Sequence, residues 1–380
     1  MAFFKRASKL DEEEYQRAID KGLGKAFDNA EKDSCRASEL KAVVLSDLHR
    51  GAGDGADDFA ASHQAYSAAL GWYLAQGYQL WLLGDVEELW ENGIGEVMEE
   101  YEALLELELQ FAQGPGLRRF YGNHDLDWSK RRYVDKHLAP WLDGSVPQEA
   151  LRLRVEDDAG DDLGMLFLAH GHQGTATSDR WAGISRIAVR VAWRALQRWQ
   201  GWRATTPADS HELRGKHDHA MYRWARRRVI DGDPGERPVL IAGHTHRPVF
   251  AGTSPPHPTA EQASDLAQRL ETEPDPTRRA ELRAELELVR AALRGDPYTP
   301  PAIDPPCYFN TGCCSFPDGD VTCLEINGEP LVDEALRDPG DGRGKIRLMR
   351  FLDNDAKPRP EQLAARPLRE VFEQVANAAG

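Results

Sequence analysis

The first half of the chain carries short apolar runs that each end in polar residues. The clearest run, Gln79–Leu83, is typical of a buried parallel strand that ends at a loop. Lys41–Ser46 and Leu117–Tyr121 have the same character, and helical spacing of apolar residues predicts helices between these strands at Phe59–Gln76 and Glu87–Gln113. This alternation of strand and helix predicts an α/β fold with a parallel sheet and right-handed crossovers.

The second half of the chain continues with further strands and helices. Leu151–Val155 and Leu163–Ala169 flank an acidic turn and together predict a β-hairpin. Later apolar runs predict strands at Val239–Ala242, Cys307–Asn310, Val321–Ile326 and Lys345–Leu352. Helical spacing predicts helices at Asp11–Phe27, Ser178–Arg203 and Glu212–Ile230, and a helical end to the charged tail.

These patterns divide the chain into three parts. Residues 1–40 are predicted to be an N-terminal helical segment that packs on the surface, residues 41–352 the main domain, and residues 353–380 a tail. Within the main domain, residues 178–230 are predicted to form a helical cap. Residues 260–295 are predicted to be an inserted, highly charged helical hairpin, broken at Glu273–Pro276.

Composition limits the class of protein and the cellular compartment that we expect. A chain of 380 residues with 41% apolar residues can bury a large core, and a net charge of -16 argues against a general nucleic-acid binder. The sequence has neither an apolar run of membrane-spanning length nor an N-terminal signal peptide, so we expect a cytoplasmic protein. Its five cysteines are odd in number and mostly late in the chain, which predicts free thiols in a reducing compartment.

Aspartate, asparagine or histidine residues follow five of the predicted strands. They are Asp47 and His49, then Asp85, then Asn123, His124 and Asp125, then His170, and finally His244 and His246. Any one of them alone is more often structural, as a turn or helix-capping aspartate or a structural histidine. Their oxygen and nitrogen atoms are ligands suited to manganese, iron or zinc, and catalytic groups collect at the carboxyl ends of strands in α/β folds. Five such strand ends together predict a metal site.

The five segments read D-x-H, G-D, G-N-H-D, H and G-H-x-H, and they resemble the calcineurin-like metallophosphoesterase superfamily over Lys41 to Arg247. The resemblance implies a four-layer αββα sandwich of two facing mixed sheets, with two divalent metal ions at one edge. Manganese is the foremost candidate, and iron, zinc or magnesium are alternatives. The resemblance also implies the ligands. They are Asp47, His49 and His246 for one ion, Asn123, His170 and His244 for the other, and Asp85 between them.

The same residues suit the hydrolysis of a phosphoester bond. Two cations about 3.5–4 Å apart clamp a phosphoryl group and lower the pKa of a shared water, so that hydroxide attacks phosphorus near neutral pH. His124 is expected to stabilise the growing charge or to protonate the leaving alkoxide. Asp125 is expected to orient His124 and to keep it charged, and it also fits the N-cap of a following helix.

The substrate is less defined. Gly84–Trp90 is similar to the corresponding segment of the bacterial UDP-2,3-diacylglucosamine pyrophosphatases, but His124 and His172 depart from that branch. An alternative function is therefore a pyrophosphatase for a nucleotide-sugar or lipid-linked substrate at a membrane surface. A non-catalytic scaffold is a further alternative, although no predicted ligand is missing. His172 is either a substrate contact or an ordinary loop histidine.

Further candidate substrate contacts lie in the predicted cap. Arg186, Arg190 and Arg194 recur every four residues and form one stripe among several tryptophans. This zone either receives an anionic, partly apolar substrate, docks on the inner face of a membrane, or is a solvated arginine face over packed tryptophans. Asn310 resembles a segment that supports the site in the family, and we include it among the candidates. Cys313 and Cys314 are expected to be buried thiols, because a zinc-type C-x-x-C pair is absent.

Overall fold

Twelve strands in the described part of the chain form two sheets. The computed structural model describes residues 12–55, 57–175, 211–250, 304–316, 319–328, 344–352 and 360–378, and isolated helical positions at 267, 268, 270 and 279. The strands are β1 Glu31–Arg36, β2 Lys41–Leu45, β3 Gln79–Leu83, β4 Leu117–Phe120, β5 Ala150–Glu156, β6 Asp162–Ala169, β7 Pro238–Ala242, β8 Pro248–Phe250, β9 Tyr308–Thr311, β10 Val321–Asn327, β11 Lys345–Phe351 and β12 Pro360–Pro367. The helices are α1 Glu12–Asn29, α2 His63–Ala75, α3 Ile94–Glu100, α4 Glu102–Ala112, the single turn α5 Arg131–Tyr133, α6 His211–Asp231 and α7 Leu368–Asn377.

Both sheets have six strands and mixed direction. One has the order β1-β5-β6-β7-β9-β8, and the other has the order β12-β11-β10-β2-β3-β4. The predicted parallel arrangement of β2, β3 and β4 is confirmed, as is the antiparallel hairpin of β5 and β6. The parallel pairs β6–β7 and β7–β9 place the ends of the later strands side by side as well. The chain is therefore a mixed α/β protein, as predicted.

The apolar residues of β2 contribute to two different cores. Ala42 and Val44 belong to a core that also contains residues of β5, β6 and β7, whereas Val43 and Leu45 belong to one shared with α2, α3 and α4. Side chains alternate between the two faces of a strand, so both faces of this sheet are covered. The continuous apolar runs in the sequence follow from this burial on both faces.

The prediction of a single helix over Glu87–Gln113 is wrong. The chain after Asp85 is extended, because His49 and Arg50 donate their backbone N–H groups to the carbonyls of Asp85 and Val86 at 3.0 Å. Helix begins only at α3, and α4 follows it directly. The loop that replaces the first helical turns brings Glu87, Glu88 and Trp90 beside the strand ends.

The N-terminal segment contributes to the core and to a sheet. In α1, Ile19, Leu23 and Phe27 are completely buried, and β1 pairs in parallel with β5. The strands β1, β8 and β12 are not predicted by the sequence patterns, whereas the final helix is, as α7. The division of the chain at residues 40 and 353 stays a prediction.

Two predicted features lie mostly outside the described residues. The helix Ser178–Arg203 and the hairpin 260–295 cannot be compared with the structure, apart from the isolated helical positions of the latter. The helix predicted at Glu212–Ile230 is confirmed as α6. Among the described helices, none combines the length and the apolar character needed to cross a bilayer.

Candidate metal centre

Every predicted metal ligand directly follows or closely follows a strand. Asp47 and His49 come after β2, Asp85 after β3 and Asn123 after β4, all in one sheet. In the other sheet, His170 follows β6, and His244 and His246 follow β7. Contacts cross between the two sets, since the Nε2 atom of His170 lies 2.9 Å from Oδ2 of Asp85. The carboxyl ends of strands from both sheets therefore meet at one place.

The candidate ligand atoms form three overlapping groups of three residues. Asp47, His49 and His246 offer atoms that all lie within 4.8 Å of one another, and so do Asp85, His170 and His244. A third group, His49, Asp85 and His124, joins these two. Within the first group, Nε2 of His246 is 3.3 Å from Oδ1 of Asp47 and 3.1 Å from Nε2 of His49. The groups are adjacent, because Nε2 of His170 is also 3.9 Å from Oδ1 of Asp47.

Two of the imidazoles are anchored through one nitrogen so that the other faces the centre. Nδ1 of His170 donates to the backbone carbonyl of Leu83 at 2.8 Å, which leaves Nε2 towards the two aspartates. Nδ1 of His49 bonds Oε2 of Glu88 at 3.0 Å, and its Nε2 faces His246. Metal-binding histidines usually have this arrangement, in which an outer partner fixes the tautomer and the ring.

Asn123 supplies a buried oxygen that is not satisfied by hydrogen bonding. Asn123 is 6% exposed, and its Oδ1 has no hydrogen-bond partner among the described residues. Its neighbour His124 donates its backbone N–H to Oδ1 of Asp85 at 2.8 Å, so this loop is held against Asp85. Buried polar atoms without partners are rare in folded proteins. A cation beside Asp85 would satisfy this oxygen, and the donor set therefore fits a metal ion.

The backbone at the ligands is unusual. Five of the six described non-glycine residues with positive φ are predicted ligands, at φ values of 54° for Asp47, 53° for His49, 50° for Asp85, 70° for His244 and 53° for His246. The sixth, Asp143, has a φ of 45°. Left-handed backbone is uncommon for residues with a side chain and tends to cluster at functional sites.

Glycines beside the ligands allow the loops to approach one another closely. An added Cβ at Gly122 would lie 2.2 Å from Oδ1 of Asp85, and one at Gly84 would lie 2.8 Å from the ring of His170. At Gly243 an added Cβ would lie 2.5 Å from Oδ2 of Asp47. The glycines that precede Asp85, Asn123 and His244 in the motifs are therefore required, because the site leaves no room for a side chain at these positions.

The charge states of two predicted ligands, Asp85 and His244, suit a cation. Burial raises the pKa of the Asp85 carboxyl, but the adjacent imidazoles of His170 and His124 outweigh burial and hold that pKa well below its usual range. Burial also lowers the pKa of His244 well below its usual value, which favours the neutral imidazole that a metal ligand must be.

His124 is held by two neighbours that the sequence does not single out. Its ring stacks on Trp90 with the ring centroids 4.1 Å apart, and its Nδ1 lies 2.6 Å from Oε2 of Glu88. The same Glu88 oxygen bonds His49, so one carboxylate joins a predicted ligand to the predicted catalytic histidine. Glu88 stands three residues after Asp85, and this spacing is the signal that could have identified it.

The predicted orienting contact between Asp125 and His124 is wrong. The two carboxylate oxygens of Asp125 accept the backbone N–H groups of Gly122 at 2.6 Å and Val86 at 2.9 Å. Asp125 is completely buried and occupies the N-cap position of a short 3-10 turn without a capping bond from its side chain. It joins the loops after β3 and β4, whereas Glu88 contacts the imidazole.

The predicted substrate contacts differ in their positions. The ring of His172 lies 5.5 Å from that of His170 and is buried beside the centre. Asn310 is completely buried, donates to the carbonyl of Gly243 at 2.7 Å and accepts the N–H of Gly312 at 3.0 Å. Asn310 therefore supports a ligand loop, and its predicted contact with substrate stays a prediction. Arg186, Arg190 and Arg194 lie outside the described residues.

The described part of the arginine and tryptophan zone packs on α1. Trp224 is 4% exposed and contacts the rings of Phe27 and Phe167. Arg228 lies over the ring of Phe27 and pairs with Asp28. Here the tryptophan and the arginine stabilise the interface between α6 and α1.

All five cysteines are free thiols, as predicted. Cys307, Cys313, Cys314 and Cys323 are buried, and Cys313 Sγ lies 3.5 Å from Nδ1 of His246.

Comparison with known proteins gives no family assignment. No family model matches the chain, and no curated protein is significantly similar to it in sequence.

Proposed function

We propose that this chain is a dinuclear metal-dependent phosphoesterase of the calcineurin-like superfamily, built as a four-layer αββα sandwich. The observation that carries the proposal is the meeting of five strand-end loops, whose aspartate and histidine atoms form three overlapping groups. The covering of both faces of the second sheet supports the layered arrangement.

The residues would divide between two ions. Asp47, His49 and His246 would hold the first, and Asn123, His170 and His244 would hold the second. Asp85 would contact both, since it belongs to a group with His49 as well as to one with His170. Oxygen and nitrogen ligands of this kind accept manganese, iron, zinc or magnesium, with manganese the foremost candidate.

The chemistry would be divided between the ions and His124. When bound, the two ions would supply charge neutralisation at the phosphoryl oxygens and an activated water. Nδ1 of His124 is engaged by Glu88, so Nε2 is the nitrogen left to donate a proton to the leaving oxygen. Burial lowers the pKa of His124, but the charges of Glu88 and Asp85 outweigh it and raise that pKa, which favours the protonated imidazole that such a step requires.

Hydrolysis of bis(p-nitrophenyl) phosphate and p-nitrophenyl phosphate with Mn²⁺ tests this function. We expect Asp85→Asn to lower kcat by at least about 10²-fold and to reduce the bound metal measured by mass spectrometry, because a shared ligand loses its charge. Asp143→Asn is the matched control, since Asp143 has the same left-handed backbone and is exposed.

Two outcomes would contradict the proposal. One is full hydrolytic activity in Asp85→Asn. The other is a purified wild-type protein that takes up no divalent ions and hydrolyses neither ester, which would favour the non-catalytic scaffold.

A further inference from the structure

Helix α6 places two consecutive residues against two separate loops of the candidate metal centre. His217 is 4% exposed and Asp218 is 7% exposed. Neither belongs to the ligand groups, and neither lies in any of the five motifs. Two buried polar side chains at successive positions of a helix require partners, and both find them in the ligand loops.

His217 bonds the loop that carries His170 and His172. Its Nε2 lies 2.8 Å from the backbone carbonyl of Gly171, so this nitrogen donates its proton and Nδ1 is left as an acceptor. The hydroxyl of Tyr15 in α1 donates to that Nδ1. The His217 ring also lies edge-on to His244 with the ring centroids 5.0 Å apart. One imidazole thus contacts the loop of one predicted ligand and the ring of another.

The fit of α6 against Gly171 is close. An added Cβ at Gly171 would lie 3.1 Å from Sδ of Met221, which is one turn further along α6, and 3.3 Å from Cβ of His244. Gly171 has a φ of 110°. The carbonyl that accepts from His217 is therefore fixed both by a glycine-specific backbone and by packing on the same helix.

Asp218 bonds the loop that carries His244 and His246. Its Oδ1 accepts the hydroxyl of Thr245 at 2.9 Å and the hydroxyl of Tyr308 at 2.7 Å. Thr245 lies between the two predicted ligands in sequence and is 3% exposed. Asn310 donates to the same threonine oxygen at 3.2 Å. Thr245 thus anchors the two flanking histidines to the buried carboxylate.

We propose that His217 and Asp218 are positioning residues that set the affinity of the centre for its metal ions. The inference rests on the proposed function and adds to it an outer set of residues. His217 acts on the ion of His170 and His244 alone. Asp218 acts through Thr245 on both ions, because His244 and His246 belong to different ligand groups. Outer partners of metal ligands typically contribute about 10–100-fold in affinity.

Titration of metal-free protein with Mn²⁺ in a calorimeter tests this inference. We expect His217→Phe to weaken one of two binding events by about 10–100-fold, and His217→Gln to recover most of that loss, because the glutamine amide can donate to Gly171 in place of Nε2. Thr245→Val, which removes one hydroxyl at nearly constant volume, is expected to weaken both events. Tyr222→Phe is the control, since Tyr222 lies in α6 and bonds the backbone of Asp304.

Cobalt gives a second readout. The visible absorption of the Co²⁺-loaded protein depends on ligand geometry, so the spectrum of His217→Phe should change while that of Tyr222→Phe should not. Wild-type binding of two ions with unchanged affinities in both His217→Phe and Thr245→Val would overturn the inference and leave the proposed function intact. If His217→Phe fails to fold, unchanged affinities in Thr245→Val overturn the inference alone. Wild-type protein that binds no Mn²⁺ would overturn the proposed function and this inference with it.

Discussion

Glu88 is the residue that joins the two histidines beside Asp85. Its Oε2 lies 3.0 Å from Nδ1 of His49 and 2.6 Å from Nδ1 of His124. Burial raises the pKa of the Glu88 carboxyl, but His124 and His49 outweigh burial and lower that pKa to about 2, so the side chain is ionised. An ionised carboxylate in this position both fixes the two rings and favours a charged His124.

Glu88→Gln should lower kcat by about 10–100-fold, as for other outer partners of a site. The neutral amide cannot stabilise the imidazolium, and the loss should be larger for phenyl phosphate than for p-nitrophenyl phosphate, because the poorer leaving group depends more on protonation. Steady-state kinetics with both esters measures the difference. Glu99→Gln, an exposed change in α3, is the control. Equal losses for the two esters would argue against proton donation by His124.

At the residue scale, the sequence predicts which residues meet at the centre better than it predicts which residues hold them in place. Asp47, Asp85 and His170 lie within two residues of the ends of apolar strands, so their meeting at a sheet edge follows from chain direction. Which carboxylate contacts the His124 ring depends instead on the path of the loop after Asp85. Asp125 is next to His124 in sequence and Glu88 is 36 residues away, and only the structure shows that Glu88 makes the contact.

At the scale of elements, the strand-end loops depend on glycine for their close approach. Gly122 lies where the loop after β4 passes Asp85, and its missing side chain leaves the space that Oδ1 of Asp85 occupies. The loop after β3 and the loop after β4 are also joined by the backbone bonds to Asp125. A change at this glycine should therefore affect two predicted ligands, Asp85 and Asn123, together.

Gly122→Ala should weaken Mn²⁺ binding and lower kcat by at least about 10-fold, because overpacking of this kind costs about 1–3 kcal/mol. Calorimetric titration and ester hydrolysis measure both effects. Gly95→Ala is the matched control: Gly95 lies in α3 with no heavy atom within 4 Å of an added Cβ, and there alanine should stabilise the fold by about 0.5–1 kcal/mol. Wild-type metal affinity in Gly122→Ala would contradict the crowding argument.

The sequence predicts strands that are buried on both faces and misses β1 and β12 for one physical reason. β2, β3 and β7 are buried on both faces and read as continuous apolar runs. β1 and β12 lie at sheet edges and are mostly exposed or half-buried, so their membership depends on backbone pairing with β5 and β11. Backbone hydrogen bonds leave no pattern in the side chains, and a hydropathy pattern therefore does not predict β1 and β12.

At the scale of the whole molecule, a buried cluster of charges ties the centre to the helical layer. Arg50, next to His49, pairs with Glu108 of α4, and Arg119 of β4 donates to both oxygens of Glu87 at 2.7 Å. All four side chains are about 1% exposed. Tyr66 of α2 also donates to Glu108 at 3.1 Å.

Glu108→Ala should reduce the free energy of unfolding by about 3–5 kcal/mol, because it leaves the Arg50 charge buried with one partner fewer. Chemical denaturation followed by circular dichroism gives the change in midpoint. Glu106→Ala, an exposed change on the same helix, should stay within about 0.5 kcal/mol of the wild type. If the two variants unfold at the same denaturant concentration, the cluster does not stabilise the fold.

The sequence could not predict how these charges pair across the molecule. Glu87, Glu88 and Glu108 all fall in the acidic stretch for which the sequence predicts one helix, and in one helix Glu87 and Glu108 would lie far apart. Separate burial of Glu87 and Glu108 beside arginines from β4 and from the loop after β2 depends on the packing of α4 against that sheet.

The strand β1 affects how the protein can be shortened for expression. The recognisable motifs begin at β2, so Lys41 is the obvious place to start a trimmed version. Such a version would lose β1, the charged strand that pairs with β5 at the edge of the sheet. Exposed β5 could then pair with the same strand of another molecule, which favours self-association. A trimmed version that keeps Glu12 onwards retains both β1 and the buried residues of α1.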